Sequence, residues 1–377
     1  LNLLKQREAG CNLLLDLFVK NPEYLEKIHG RHLCLMQPSI NPNLENMSAL
    51  LMIAGGGSQA FLYYLFSKKP HLAQEITLEA LCQFRTRVAL AEENTSALYY
   101  FAAWEFKYHI LSQLFSLNHD LIKRMTSDHL CRPIGHPERR HHSTFYCLST
   151  TVKGCKLLVH LFQINPELMR GVTREILYLQ ADAPSFFNQR ISVFYFLSEH
   201  ENGIKIIRQL FQYNPQLMHD MEVYDLCHFL PPSAHEYENS SVLYFLSRSE
   251  LGCQVILDLI QLKPNFIKDM TIDDLLRKPV KLRKNKIDSL SLSQYLECNE
   301  SGRAVLAELF RQHPTWVNRP KLDNKACLFQ EHPDLTPLFE RYSQQALLGL
   351  FSSKQQEETK SSEAHLETQG LDNSSKN

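Results

Sequence analysis

Apolar residues recur along this chain in blocks of about 49 residues, each marked by an Asn-Pro dipeptide or its equivalent. The markers of seven successive blocks, named repeats 1 to 7, are Pro22, Pro70, His119, Pro166, Pro215, Pro264 and Pro314. Aliphatic or aromatic residues stand nine, eight, five and four positions before every marker. This i, i+1, i+4, i+5 spacing is typical of a helix face turned toward a core. The pattern therefore predicts the same helix before each marker.

Each repeat is predicted to contain further short helices around this one. Upstream lies an apolar helix opened by a serine N-cap, as in residues 96–103 and 241–247. A glycine twelve positions before five of the markers is expected to break the chain between the two helices, which gives a helical hairpin. Downstream, Asn165 and Asn214 precede a proline and are expected to cap a third helix. A threonine is expected to cap a fourth helix, at Thr77, Thr126, Thr173 and Thr271.

Three to four short helices per repeat indicate an all-α fold in which each repeat buries its apolar face against its neighbours. We predict an α-solenoid of about seven ~49-residue helical repeats over residues 1–333, with the first repeat incomplete. Because the first repeat holds only part of its first helix, we expect the natural polypeptide to extend further toward the N-terminus. Residues 334–351 are predicted to form a C-terminal capping helix, and the polar residues 352–377 a disordered tail.

Composition narrows the class of protein. Lys and Arg number 40 against 41 Asp and Glu, so global charge gives no argument for nucleic acid or membrane binding. The 13 glycines are too few for a Rossmann, P-loop or all-β fold.

Residues 47–67 are uncharged over about the length of a membrane span, but their alignment with the other hairpins favours a buried hairpin, and no transmembrane segment is predicted. Residues at equivalent positions of successive repeats form a column. Eight of the ten cysteines lie in columns that hold apolar residues in other repeats, which predicts that these cysteines belong to the core.

The hairpin pattern S-x-L-Y-x-L-S…G-x-x-I-L-x-x-L-F-x-x-N-P, seen for example in residues 241–264, resembles the ankyrin core T-P-L-H-x-A…G-x-x-x-I-V-x-x-L-L-x-x-G-A. The period here is some sixteen residues longer and the T-P-L-H tetrapeptide is absent, so each repeat looks like an ankyrin-like hairpin plus extra helices. Arrays of this sort resemble those of Dot/Icm type IV secreted effectors of intracellular bacteria. The Glu-rich, Ser/Thr-rich segment 355–367 is similar to the C-terminal translocation signals of that class.

The resemblance covers residues 1 to about 335 and carries over no catalytic residue. It implies a protein that is made in the bacterial cytoplasm, is translocated into the host cytosol and binds a host protein there. On this reading the chain is a protein-protein interaction scaffold that needs no cofactor and is not an enzyme. The sequence also has no GxSxG, no HExxH and no Gly-rich phosphate loop.

Function in a repeat array is expected where the repeats stop being equivalent. In repeat 3, Lys107 replaces the hairpin glycine, and Trp104 and Tyr108 fall outside the core columns. If these two aromatic side chains are exposed, they are candidate partner-binding residues. Local packing against the altered turn is the alternative interpretation.

A second departure is the basic linker of repeat 6, residues 277–286, which has six cations and no carboxylate. Its candidate binding residues are Arg277, Lys278, Lys281, Arg283, Lys284 and Lys286. They could bind the phosphates of an anionic lipid or of RNA. The alternative interpretation is a solvated loop without a ligand.

The third departure is the linker of repeat 3, where Cys131, His136, His141 and His142 offer ligands that suit zinc. We do not predict a metal site there, because Cys131 occupies a core column and the spacing matches no familiar motif. Three functions remain open at this point: a protein-binding scaffold, a phosphate-directed binder that uses residues 277–286, and the non-catalytic part of an enzyme whose catalytic domain lies upstream.

Overall fold

The computed structural model describes residues 8–37, 47–56, 59–84, 94–104, 107–134, 142–178, 191–228, 237–238, 240–276, 280–281, 286–287 and 290–316. This part of the chain is helical, with five strands of two residues each, which confirms the all-α class. The chain divides into two compact units, Leu1–Leu246 with Pro279–Asp288, and Ser247–Lys278 with Ser289–Asn377. The predicted capping helix (334–351) and tail (352–377) lie outside the described residues.

The same order of helices recurs along the sequence. Repeats 1 and 2 contain α1 (Glu8–Lys20), α2 (Pro22–Glu26), α3 (Gly30–Cys34), β1 (Met36–Gln37), β2 (Met47–Ser48), α4 (Ala49–Gly56), α5 (Gln59–Lys68), α6 (His71–Gln74) and α7 (Leu78–Cys82). Repeats 3 and 4 contain α8 (Ala97–Ala102), α9 (Tyr108–Leu117), α10 (His119–Arg124), α11 (Ser127–Cys131), α12 (Thr144–Ser149), α13 (Val152–Ile164), a 3-10 helix (Pro166–Gly171) and α14 (Arg174–Tyr178).

Repeats 5 to 7 follow the same order. They contain α15 (Val193–Ser198), α16 (Glu201–Tyr213), α17 (Gln216–Asp220), α18 (Val223–Cys227), β3 (Tyr237–Glu238), α19 (Val242–Ser247), α20 (Glu250–Leu262), a 3-10 helix (Phe266–Asp269), α21 (Ile272–Leu276), β4 (Val280–Lys281), β5 (Lys286–Ile287), α22 (Leu292–Glu297), α23 (Glu300–Gln312) and a 3-10 helix (Pro314–Trp316). Strand β1 pairs with β2, and β3, β4 and β5 form an antiparallel sheet in that order.

In the first compact unit, equivalent helices of neighbouring repeats pack on one another. Helix α1 packs on α5, α5 on α9, α9 on α13 and α13 on α16, while α4, α8, α12 and α15 form a parallel series of contacts. The leucine five positions before the marker is fully buried in repeats 2 to 5, as Leu65, Leu114, Leu161 and Leu210. In the second compact unit, α20 packs on α23 and α21 on α22, with Leu259 and Leu309 buried. Burial of these columns supplies most of the stabilisation of each unit.

Helix α1 differs from its equivalents because its outer apolar face is exposed. Leu13 is 53% exposed and Leu17 is 38% exposed. The equivalents of Leu13 in later repeats are all buried: Phe61, Ile110, Leu157, Ile206, Val255 and Val305. The other side of α1 is covered by repeat 2, where the ring of Phe18 stacks on that of Phe61 with centroids 5.9 Å apart.

The predicted serine caps are confirmed, and so are two of the four predicted threonine caps, at Thr77 and Thr271. The Ser96 hydroxyl accepts from the backbone N–H of Tyr99 at 3.1 Å, and the same bond recurs at Ser143, Ser192, Ser241 and Ser291. At the start of α7, the fourth helix of repeat 2, the Thr77 hydroxyl accepts from the N–H of Ala80 at 3.2 Å. Each of these bonds satisfies a helix N–H that has no partner within its own helix.

The prediction that the asparagine before the marker caps its own third helix is wrong. Asn165 makes no such bond. Its amide instead donates to the carbonyl oxygens of Ile122, Lys123 and Met125 in the preceding repeat, at 2.8, 3.4 and 3.0 Å. Asn214 does not cap either, because α17 begins at Gln216 after Pro215. The Asn165 side chain therefore joins repeat 4 to repeat 3.

Three other residues at this position reach back in the same way. Asn118 donates to the carbonyl oxygens of repeat 2 at Ala73, Gln74 and Ile76, and the Lys69 ammonium donates to those of repeat 1 at Leu25, Glu26 and Ile28, all at 3.0–3.3 Å. In the second compact unit, Nε2 of His313 lies 2.6 Å from the Ile267 carbonyl oxygen. We call these residues the inter-repeat clips. They satisfy carbonyl groups at helix C-termini that have no partner within the helix.

The hairpin glycine also has a different role from the predicted one. Gly154, Gly203 and Gly302 lie inside the first turn of α13, α16 and α23, not between two helices. A Cβ atom on any of them would collide with a carbonyl oxygen of the preceding helix, that of Leu148, Leu197 or Leu296. Glycine is therefore required because the two hairpin helices approach closely.

Candidate partner-binding surface

The hairpin of repeat 3 departs from its neighbours at the start of its second helix. Helix α9 begins at Tyr108, eleven residues before its marker, whereas α13 begins at Val152, fourteen residues before its own. In repeat 4 the N-cap is Thr151 and the glycine is Gly154. The equivalent residues in repeat 3 are Trp104 and Lys107. A tryptophan and a lysine thus replace the cap and the glycine of the hairpin.

Lys107 fixes this altered turn to the preceding repeat. Its side chain is 5% exposed, and Nζ donates to the carbonyl oxygen of Ala54 in the last turn of α4 at 2.6 Å. Burial lowers the pKa of the Lys107 amine because the charged form is poorly solvated there. The backbone N–H of Lys107 donates to the Trp104 carbonyl oxygen at 2.8 Å. A cation at the C-terminal end of a helix is favoured by the helix dipole.

Trp104 is exposed, as the sequence suggested. Its side chain is 52% exposed, while Phe101 and Ala102 in the preceding helix are buried. An exposed tryptophan on a backbone held by a buried residue offers a large rigid apolar surface, which is typical of an interface anchor. Tyr63 in repeat 2 is exposed to a similar extent and stacks edge-on against His109, with ring centroids 5.3 Å apart.

The prediction that Tyr108 is exposed is wrong. The side chain is 3% exposed, and its hydroxyl donates to the carbonyl oxygen of Cys147 in the next repeat at 3.0 Å. The sequence carried a signal for this. Tyr108 directly follows Lys107, as Cys155 and Cys253 directly follow their glycines, and both cysteines are fully buried. The ring of Tyr108 occupies that core column, and its hydroxyl finds a partner as buried tyrosines usually do.

The basic linker of repeat 6 contains a short β-ribbon. In β4 and β5, Lys281 is paired with Lys286 and Val280 with Ile287. On its other side, Lys281 is paired with Tyr237 and Val280 with Glu238. Two of the six candidate residues are thus backbone partners in this ribbon. The other four candidate residues, Arg277, Lys278, Arg283 and Lys284, lie outside the described residues.

The residues considered for zinc are not gathered into a site within the described part of the chain. Cys131 is buried, and burial raises the pKa of its thiol to about 12, which opposes the thiolate that zinc requires. The ring of His142 stacks on Tyr146 with centroids 4.5 Å apart. His136 and His141 lie outside the described residues. No group of three or more His, Cys, Asp or Glu residues that could hold a metal occurs among the residues that the structure describes.

The core role predicted for the cysteines is confirmed at seven of the eight positions. Cys34 is half-buried, whereas the other seven are buried: Cys11, Cys82, Cys131, Cys147, Cys155, Cys227 and Cys253. Residues 47–67 include the two helices α4 and α5, in agreement with the predicted hairpin. None of the described helices combines the length and the apolar character needed to cross a bilayer.

Comparisons with protein-family models, with curated proteins and with solved structures found no match to this chain.

Proposed function

We propose that this protein is a protein-binding scaffold in which the helical repeats stack as an α-solenoid and a partner docks around Trp104. The observation that carries the proposal is the exposed Trp104 side chain on a turn held by buried Lys107. Stacking is supported by the side-by-side packing of α1, α5, α9, α13 and α16 and by the inter-repeat clips. Repeat arrays of this kind bind partners on extended surfaces and need no catalytic group.

The test is capture of host proteins from a eukaryotic cell lysate, followed by mass spectrometry, with the wild type and two single variants. We expect Trp104→Ala to weaken recovery of the main partner by about tenfold or more, because anchor residues of this type dominate binding. Tyr63→Ala is the matched control, since Tyr63 is an equally exposed aromatic residue in the neighbouring repeat. Helicity by circular dichroism should be unchanged in both variants. Equal recovery by the wild type and Trp104→Ala would contradict the proposal.

A second candidate function, binding of phosphate groups, is supported by the register of the β-ribbon, which pairs Lys281 with Lys286. Clusters of four to eight cations attract anionic lipids and RNA, and such binding weakens steeply with salt. The triple reversal Lys281→Glu, Arg283→Glu and Lys284→Glu should abolish retention on phosphatidylserine vesicles and on RNA. Unchanged retention on both would exclude this function. An interface anchored by Trp104 should change little with salt.

We further propose that the protein is a bacterial effector that is translocated into host cells. Support comes from the ankyrin-like hairpin pattern and from the Glu-rich segment 355–367. A translocation reporter fused to the full chain should be delivered into host cells by a strain with a type IV system. Delivery that persists after removal of residues 352–377 would contradict the role given to the tail.

A further inference from the structure

Repeat 1 presents an apolar surface on the side that later repeats keep covered. It consists of Leu13, Leu17 and Tyr24, which lie nine and five positions before the marker and two positions after it. All three are exposed, Tyr24 to 41%. We call these three residues the repeat 1 face. In repeats 2 to 5 every residue in the same three columns is buried: Phe61, Leu65, Leu72, Ile110, Leu114, Leu121, Leu157, Leu161, Leu168, Ile206, Leu210 and Leu217.

The structure shows what covers these columns in the later repeats. The second hairpin helix of each repeat packs on that of the next, α1 on α5, α5 on α9, α9 on α13 and α13 on α16. The third helix of repeats 2, 3 and 4 also packs on the second hairpin helix of the following repeat. At the first junction, Phe18 stacks on Phe61, which is the equivalent of Leu13. The second and third helices of a preceding repeat therefore cover the columns of the repeat 1 face.

The clip position of repeat 1 indicates the same kind of occupant. Asn118 and Asn165 each donate to three carbonyl oxygens of the preceding repeat. Asn21, their equivalent, donates instead to the Leu17 carbonyl oxygen of its own repeat at 3.1 Å. The partners of this position in later repeats are open carbonyl groups at a helix C-terminus. A polar residue thus indicates, independently of burial, that a helix end belongs beside the repeat 1 face.

Repeat 4 shows the chemistry of such an occupant. The two leucines of the repeat 1 face and the asparagine at the clip position recur there, as Leu157, Leu161 and Asn165. Helices α9 and α10 of repeat 3 pack on α13, and the carbonyl oxygens that accept from Asn165 lie in α10 and directly after it. Helix α9 carries Phe115 in the column of Phe18. An occupant of the repeat 1 face is therefore expected to resemble α9 and α10.

We propose that the repeat 1 face is a docking site for a helical repeat of a partner protein. One amphipathic helix of the partner, with an aromatic residue in the column of Phe18, packs on Leu13 and Leu17, and the C-terminal carbonyl groups of its next helix accept from Asn21. Head-to-tail docking of a second copy is disfavoured, because Leu306 and Phe310 in α23, the columns that would face repeat 1, are buried. This inference adds a second partner site to the proposed function and does not depend on Trp104.

The experiment measures binding of a fluorescent synthetic peptide of residues 107–134, which contains α9, α10 and α11, to the full chain by anisotropy. A matched peptide carries Leu111→Ser and Phe115→Ser. We expect the first peptide to bind at least tenfold more tightly than the second, because docking buries these two large apolar side chains. The peptide needs to become helical only when it binds.

Variants of the full chain locate the binding site. Leu13→Ser should weaken binding of the peptide at least tenfold, and Asn21→Ala at least fivefold. Both proteins should unfold at the same urea concentration as the wild type, since Leu13 is exposed and Asn21 bonds within its own repeat. Leu262→Ser is the matched control, because Leu262 is as exposed as Leu17, and it should bind the peptide as the wild type does.

Three results would overturn the inference. They are equal binding of the two peptides, binding that Leu13→Ser and Asn21→Ala both leave unchanged, and self-association of the full chain, measured by sedimentation, that Leu13→Ser abolishes without any binding of the peptide. The third result would assign the repeat 1 face to a second copy. If the wild type binds the peptide as expected but captures no host protein, the proposed function around Trp104 fails and the docking site on repeat 1 stands.

Discussion

At the scale of single residues, the inter-repeat clips join consecutive repeats by direct hydrogen bonds from a side chain to backbone carbonyl oxygens. An amide, an ammonium group and an imidazole occupy the same position and face the same kind of acceptor, the open carbonyl groups at the end of a helix. What these groups share is a long enough reach and at least one N–H donor. Because the acceptors belong to the preceding repeat, each clip stabilises an interface rather than its own helix.

Removal of one clip should therefore destabilise the protein. For Asn165→Ala we expect the free energy of unfolding to fall by about 1–3 kcal/mol, because buried carbonyl groups lose their donor. Urea denaturation followed by circular dichroism measures the loss. Asn21→Ala is the matched control, since Asn21 donates only to Leu17 of its own repeat at 3.1 Å, and it should change stability by less than about 0.5 kcal/mol. Similar losses in the two variants would show that the inter-repeat bonds carry little energy.

His129 is expected to make the stability of α11, the fourth helix of repeat 3, depend on pH. Its Nδ1 accepts from the backbone N–H of Thr126 at 2.9 Å, which requires that this nitrogen carry no proton. Burial lowers the pKa of His129 below 6.5, and this outweighs the carboxylates of Asp128 and Glu79, which act to raise it. A group whose pKa is lowered on folding contributes its stability above its unfolded pKa and loses it as pH falls below that value.

We expect His129→Asp to flatten the stability profile between about pH 5 and 7, because the carboxylate remains an acceptor over this range. The equivalent residue in repeat 5 is already an aspartate, and Asp225 accepts from the N–H of Glu222 at 2.8 Å. The measurement is the free energy of unfolding at several pH values. His71→Asp, at an exposed position, should leave the profile unchanged. An identical decline below pH 6.5 in His129→Asp and wild type would refute the assignment.

At the scale of helices, the two helices of the hairpins in repeats 4, 5 and 7 approach so closely that a side chain larger than that of glycine does not fit in the first turn of the second helix. Gly203→Ala should lower the free energy of unfolding by about 1–3 kcal/mol, because the new Cβ would overlap the Leu197 carbonyl oxygen and force α15 and α16 apart. Gly55→Ala is the control, since a Cβ there meets the Tyr100 ring at an ordinary 3.5 Å, and its effect should stay within about 1 kcal/mol. Thermal unfolding by circular dichroism compares them. A Gly203→Ala protein as stable as Gly55→Ala would disprove the packing argument.

The sequence predicted the helices because their signals are local. Apolar spacing and the serine caps at Ser96 and Ser241 act within one turn, and both are found in the structure. The sequence did not predict the hydrogen bonds of Asn165. The carbonyl oxygens that accept from its amide lie about 40 residues earlier, and a local residue pattern does not show which distant residues come into contact. For the candidate site, the two interpretations left open by the sequence divide between the residues: Trp104 is exposed, whereas Tyr108 is buried, as its position next to the hairpin-glycine column, shared with Cys155 and Cys253, indicated.

At the scale of the whole molecule, a repeat array and a single cooperative globule predict different responses to a local change. In an array each repeat contacts only its neighbours, so stability is approximately a sum of repeat and interface contributions. A globule loses stability everywhere when one contact is removed. The proposed solenoid can therefore be tested without knowledge of its partner.

Hydrogen exchange followed by mass spectrometry on Asn165→Ala makes this test. We expect faster exchange in peptides from α10, α13 and the 3-10 helix Pro166–Gly171, where the clip is lost, and unchanged exchange in α1 and α23. The wild type under the same conditions provides the reference. A uniform increase across all helices would indicate one cooperative unit and would contradict the array.

Burial of the core cysteines has a practical consequence for such measurements. Cys298 is exposed, whereas burial raises the pKa of the Cys155 thiol to about 12 and that of Cys253 to about 11. Thiols of the latter kind react slowly because little thiolate forms at neutral pH. Within the described part of the chain, a brief maleimide reaction should therefore attach a dye at Cys298 ahead of every other cysteine. Repeat 7 thus offers a natural attachment point for fluorescence without any engineered residue.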